Sequence, residues 1–400
     1  MGASLPLADP WPLNNRLAVQ VDKSKTFHAY VHIPFCVVRC GYCDFNTYTA
    51  SEIGDVSQSD FHRHLISEIQ FSRQVLAGSS VPDRELSTIF FGGGTPSLFT
   101  PNQIREIIDS LRENFGLGAE CEITLEANPE GLNHSLIEGF KDAGVNRISL
   151  GVQSFDQDVL RTLDRIHTQD KVLQAVEAAR SLGLRLSVDL IYGAPGESLS
   201  SWEKTLNRAI SLNPEHVSAY SLIVEDGTAL ARKIKRGELA EVNEDLNAEK
   251  YLLTEQLLSA AGLANYEVSN WGTPSRHNQA YWQSNDWWGY GPGAHSHISG
   301  TRFWNHKHPA NYAQLVSKGS PVHSMEVLDE RTKLEERLLL ELRTSAGVPN
   351  ELLKALGVSP KLISEAIATG LLVLRADRNL VATLQGRLVV DGLVLDFLTK

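Results

Sequence analysis

Six short apolar or β-branched runs recur along the first half of the chain: "AYVHI" (29–33), "STIFF" (87–91), "EITLE" (122–126), "RISLGV" (147–152), "LSVDLIYG" (186–193) and "HVSAYSLI" (216–223). Between them lie stretches such as "NQIREIIDSLRENFG" and "DKVLQAVEAARSLGL", with apolar residues at helical spacing and a Gly near the end. Strand alternating with helix has few physical solutions. Right-handed crossovers lay the strands parallel, in an open sheet or in part of a (β/α) barrel, and ligands then collect beyond the carboxyl ends of the strands. The unusual residues do gather there: a cysteine-rich loop after the first run, "GGGTP" (92–96) after the second, Glu126 at the end of the third, Gln153 after the fourth and Asp189 within the fifth.

A chain of 400 residues exceeds the roughly 250–300 that one core supports, which predicts a large α/β domain and a smaller partner. From about residue 326 the pattern changes to three helical segments, two short strands ("LLVLR", "LVATL") and a final helix, the order of a winged helix. With eleven acids against ten bases from Glu326 to Lys400, this module lacks the basic face that DNA binding requires and is read as a packing domain. The expected organisation is a lead-in (1–28), a partial (β/α)6 TIM-like barrel (29–265), a His- and aromatic-rich connecting segment (266–325) and a winged-helix-like α+β domain (326–400).

The net charge of −11 repels phosphate backbones and argues against a nucleic-acid partner. No apolar run approaches the roughly 18 residues of a membrane helix, so no transmembrane segment is expected. The first fifteen residues lack the basic start and apolar core of an export signal, which predicts a cytoplasmic protein.

Three of the four cysteines, Cys36, Cys40 and Cys43, fall within eight residues, whereas a disulfide framework would spread an even number through a small secreted chain. Cys121 reads as a half-buried core thiol without a role. Three thiolates at this spacing suit two centres. A structural zinc site needs a fourth ligand, here a remote His, whereas a 4Fe-4S cubane held by three Cys keeps one iron open for a chelating substrate.

"CVVRCGYC" has the CxxxCxxC pattern of the radical S-adenosylmethionine (SAM) superfamily, and "GGGTP" with the other strand ends extends the resemblance over the barrel. The resemblance implies a radical SAM barrel in which Cys36, Cys40 and Cys43 hold a 4Fe-4S cluster. In that family the amino and carboxylate groups of S-adenosyl-L-methionine chelate the open iron, and an electron entering the sulfonium breaks its carbon–sulfur bond. Carried over residue by residue, Gly93, Gly94 and Thr95 receive the methionine end of the cofactor, and Glu126 accepts a hydrogen bond from its amino or ribose groups. Gln153 and Asp189 contact the nucleoside, Arg165 holds the carboxylate, and Tyr30 and Tyr42 pack on cluster and cofactor. His32, inside the signature, reads as a satisfied structural residue.

"YVHIPFC", "GGGTPS", "GVQSF" and "DLIYGAPGE" further resemble the coproporphyrinogen oxidase-like branch, which contains an oxygen-independent coproporphyrinogen III dehydrogenase and heme chaperones. Two departures point away from the dehydrogenase: Phe45 stands where it carries a further Cys, and the segment before Tyr30 is shorter. "HNQAYW" matches the HNxxYW motif associated with heme in the chaperones, which makes His277, Asn278, Tyr281 and Trp282 candidate heme contacts. Five of the seven Trp and five of the thirteen His lie between 271 and 308, a composition that suits a tetrapyrrole pocket or an aromatic packing seam equally well. The function so implied is heme binding and transfer to an unidentified acceptor protein, with a flavodoxin or ferredoxin as electron donor. Oxidative decarboxylation of coproporphyrinogen III, or electron relay alone, are the alternatives.

Overall fold

The computed structural model of this chain describes residues 8–54 and 56–399, so the start of the expected lead-in lies outside the described residues. All six runs are strands: β1 (Phe27–Ile33), β2 (Leu86–Gly93), β3 (Leu117–Ala127), β4 (Arg147–Gln153), β5 (Arg185–Tyr192) and β6 (His216–Ser221) lie side by side in that order, each parallel to the next. Crossover helices cover their outer face. The helix Pro101–Phe115 shows how the sequence makes one. Thr100 and Gln103 form a capping box, a proline sits in the first turn, and Gly116 leaves with φ +76°. Its apolar stripe, Ile104, Ile107, Ile108 and Leu111, is completely buried.

Parallel strands packed on both faces usually read as unbroken apolar runs. Here the two faces differ. On β4, Ile148, Leu150 and Val152 enter the hydrophobic core, whereas Arg147, Ser149, Gly151 and Gln153 line a cavity on the opposite face. On β6, Val217 and Ala219 are core, and His216, Ser218 and Tyr220 line the same cavity. The inside of the barrel is therefore a lined space and not a packed centre.

The sheet continues beyond the parallel strands. Next to β6 stand β8 (Asn270–Gly272) and β7 (Asn265–Glu267). Next to β1 stand β9 (Asp286–Tyr290), parallel to it, and then the antiparallel β10 (His295–Ile298), β11 (Thr301–Asn305) and β12 (Val322–Val327). The aromatic-rich stretch thus supplies both edges of one twelve-stranded sheet. These strands are three to six residues long, too short for a period-2 pattern to announce them.

The last domain has its own core around Leu338, Leu342, Leu353 and Leu380, built from the helices Glu330–Glu341, Asn350–Leu356 and Pro360–Ala368, a three-stranded sheet and the closing helix Val390–Thr399. It is fastened to the barrel by ion pairs from Arg387 to Glu255 (3.0 Å) and from Arg302 to Glu336 (2.5 Å). Among the described residues no helix is long and apolar enough to cross a membrane.

Candidate functional site

One cavity of about 610 Å³ runs from the carboxyl ends of the parallel strands down into the barrel. At its rim lies the loop after β1 that carries Cys36, Cys40 and Cys43, all unpaired and all lining the space. The loop is stapled at both ends. The Cys36 amide donates to Tyr48 O (3.0 Å), and Gly94 and Thr95 amides donate to Ile33 O and Phe35 O (both 2.8 Å). Gly94 has no room for a side chain: a Cβ would stand 2.5 Å from Phe35 O and 3.0 Å from Cys36 Sγ. The Thr95 hydroxyl reaches Cys36 Sγ at 3.9 Å and Arg165 Nη1 reaches Cys40 Sγ at 3.7 Å. Burial raises the pKa of Cys36 and Cys43, so as free thiols they stay protonated, and metal coordination is what would remove the protons.

The remaining rim residues come from β1, from the cysteine loop itself and from four other strands. Tyr30, Tyr42, Gly93, Glu126, Gln153 and Asp189 all line the cavity. Gly93 turns at φ +115°, and its amide donates to Glu126 Oε2 (3.3 Å). Burial, and then the neighbouring Asp189 charge, push Glu126 up to about 8. Asp189 accepts hydrogen bonds from Ser149 and Ser218 (both 2.8 Å) and from Ser187 (3.3 Å), which oppose a rise that burial causes. Gln153 adopts φ +63°, a left-handed conformation rare for its type, at an irregularity in the β4–β5 register. Arg165 is no surface cation. Only 9% exposed, it donates to Asn128 Oδ1 and Gly151 O (both 2.9 Å). Asn128 was not among the sequence candidates, because nothing near "ANP" marks an Asn as other than a turn residue.

The inner end is closed by the helix Arg276–Trp282. Its N-cap, Ser275, accepts from the Asn278 amide, and the His277 amide donates to Glu122 Oε1 (3.2 Å), which docks this helix under β3. Residues four apart share a helix face, so His277 Nε2 meets the Tyr281 hydroxyl at 2.9 Å. Its Nδ1 meets Thr88 Oγ1 at 2.6 Å, and its ring stacks on Phe90 (5.1 Å). Burial holds the His277 imidazole neutral. Asn278 donates to the Tyr266 hydroxyl (3.1 Å) and Glu267 Oε1 (3.2 Å). His277, Asn278 and Tyr281 line the main cavity, whereas Trp282 lines a second one, of about 410 Å³, between the barrel and the C-terminal domain.

Most of the Trp- and His-rich composition serves packing. Trp271 and Trp288 are fully buried, Trp304 stacks on His295 (5.5 Å) and Trp287 lies against His297 (5.1 Å). Of the five histidines between 271 and 308, only His277 lines the cavity. His32 is satisfied by Tyr30 Oη (3.0 Å) and Asn46 O (2.9 Å), and Cys121 is buried away from the site.

A parallel barrel with a CxxxCxxC loop on its first strand is the architecture of radical SAM proteins, and the Radical SAM superfamily profile matches residues 30–209. The chain is 42% identical over 374 residues to the heme chaperone HemW of Mycobacterium tuberculosis, covering 92% of this chain and 94% of that protein. It is 36% identical to HemW of Bacillus subtilis over 80% of this chain and 84% of that one, and 35% identical to the mitochondrial radical S-adenosyl methionine domain-containing protein 1 of Bos taurus over 93% and 87%. The structure of Escherichia coli coproporphyrinogen III oxidase, HemN, matches with a TM-score of 0.79 at 23% identity, over 94% of this chain and 90% of that one. The chain belongs to the HemW family of the radical SAM superfamily.

Proposed function

We propose that the protein is a heme chaperone: it holds a 4Fe-4S cluster and S-adenosyl-L-methionine at the rim of the cavity, binds heme at the inner end, and passes the heme to an acceptor protein in the cytoplasm. The observation that carries this reading is that one continuous cavity joins the three cysteines to His277, Asn278 and Tyr281, residues some 240 positions apart in sequence. The relatives named as heme chaperones match along nearly the whole chain, so both ends of the cavity fall within the matched region.

The residues present suit the absent groups. Three free thiols line one rim, and among the described residues no three His, Cys, Asp or Glu side chains converge closely enough to hold a single metal ion. A cubane does not need such convergence, because each cysteine binds a different iron. Beside the thiols, Gly93 and Gly94 expose backbone, and Arg165 has an Nε without a partner, fitting it to hold the cofactor's carboxylate. A bound cluster and cofactor supply one-electron chemistry, fed by a flavodoxin or ferredoxin. The protein's share is to orient them, with Tyr42 as a wall against water.

A heme titration of the purified protein, with and without reconstituted cluster, tests the reading. A saturable Soret band is expected, together with release of heme to an acceptor. Anaerobic incubation with coproporphyrinogen III, reductant and S-adenosyl-L-methionine should leave the substrate intact. Protoporphyrinogen formed over several turnovers would overturn the proposal in favour of the dehydrogenase.

A further inference from the structure

Arg147 is the first residue of β4 and is only 4% exposed, yet among the described residues its guanidinium has no hydrogen-bonding or ion-pair partner within contact distance. The other deeply buried cations are engaged. Lys250 pairs with Glu197 at 2.8 Å, and Arg165 bonds to Asn128 and Gly151. The Arg147 nitrogens are not sealed in the protein either: unlike Arg165 Nε, none is a solvent-excluded atom left without a partner, and the residue lines the cavity. Its donors therefore face the cavity with only water to satisfy them, and a ligand acceptor that enters the cavity can take the place of that water.

The surroundings say what kind of acceptor. The buried carboxylates on the neighbouring strands have other partners: Asp189 is engaged by Ser149, Ser187 and Ser218, Glu126 by the Gly93 amide, and Glu122 by the His277 amide and Arg185; none comes within ion-pair distance of Arg147. The wall around it presents the hydroxyls of Ser149, Ser218, Tyr266 and Ser275 and the Asn278 amide. Arg165, the candidate for the cofactor carboxylate, bonds to Gly151, four residues further along β4, about 13 Å away at strand rise. The cavity therefore has two cationic stations at different depths. A planar fork of donors at the deeper one matches a carboxylate.

We propose that Arg147 seats a carboxylate of the ligand that fills the inner half of the cavity, which, resting on the heme reading above, is a propionate of the tetrapyrrole. The first test needs no variant: the parent protein is titrated with hemin and with hemin dimethyl ester, whose propionates are blocked. Hemin should bind at least about tenfold more tightly. Arg147→Gln should remove that discrimination by weakening hemin alone, Arg147→Lys should restore part of it, and equilibrium dialysis of S-adenosyl-L-methionine on reconstituted protein should change less than about twofold. Equal binding of hemin and its diester by the parent, or equal weakening of both by Arg147→Gln, leaves the heme reading standing and overturns this one. A loss of S-adenosyl-L-methionine binding with hemin unchanged would assign the carboxylate to the nucleotide and overturn it too. If the parent binds neither porphyrin, the heme reading fails and takes this inference with it.

Discussion

The parallel and the antiparallel parts of the single sheet use their residues in opposite ways. On β4 and β6 alternate residues face a cavity, so Arg147, Ser149 and Gln153, scattered among apolar neighbours, become one wall. In β9–β12 the conspicuous residues Trp288 and Phe303 are buried against each other and against Phe71 and Trp11, and Trp304 is buried against His295. A dense cluster of aromatics marks packing here, and a sparse alternation of polar residues marks the site.

The comparison breaks most sharply at the cysteine loop. Cys43→Ala should lose at least about tenfold of its iron and sulfide load after anaerobic reconstitution while its far-ultraviolet circular dichroism stays unchanged. A full load would detach the loop from the cluster. Phe303→Ala, in the antiparallel part, should cost about 3 kcal/mol in urea unfolding, the range for a large aromatic lost from a core. Its hemin affinity should move less than twofold; a large loss would extend the site into β10 and β11.

Glu68 sharpens the same contrast. Fully buried, it accepts from the Gly291 amide (2.8 Å), Asn305 (2.7 Å) and Tyr312 (2.5 Å), and burial raises it to about 7. Because the folded-state pKa lies above the unfolded one, its contribution to stability is full below about pH 4.5 and declines as pH rises to about 7, by on the order of 3 kcal/mol. Unfolding of the parent and of Glu68→Gln across this range should show a decline smaller in the variant by about that amount, since Glu126 and Asp189, raised by burial in both proteins, contribute equally to each, and ligand binding should not change. The smallest effect is expected at the inner end. His277→Ala removes the bonds to Thr88 and Tyr281 and should weaken hemin about tenfold in a Soret titration, while S-adenosyl-L-methionine binding stays within twofold. Unchanged hemin binding would move the heme site to other residues.

Much of this was legible beforehand. The six parallel strands announce themselves because each carries an apolar half that must be buried, and the cysteine loop because three thiols at x3 and x2 spacing suit so few centres. The HNxxYW spacing places His277 and Tyr281 on one helix face in any context. Less legible were Asn128 and Arg147, ordinary residues whose significance lies in what does or does not surround them. The edge strands were hidden by their shortness, and the histidines between 295 and 308 were ambiguous because imidazole serves packing and ligation alike.

By itself, then, the sequence determined the alternating fold, the cysteine-rich rim and the shared face of the HNxxYW helix, since each follows from local spacing and from which side chains must leave water. Only the tertiary structure decided that the rim and that helix open onto one cavity, and that Arg147 is buried in it without a partner. Those facts depend on closing chain segments far apart in sequence, and no local pattern records the neighbours such closure brings or withholds.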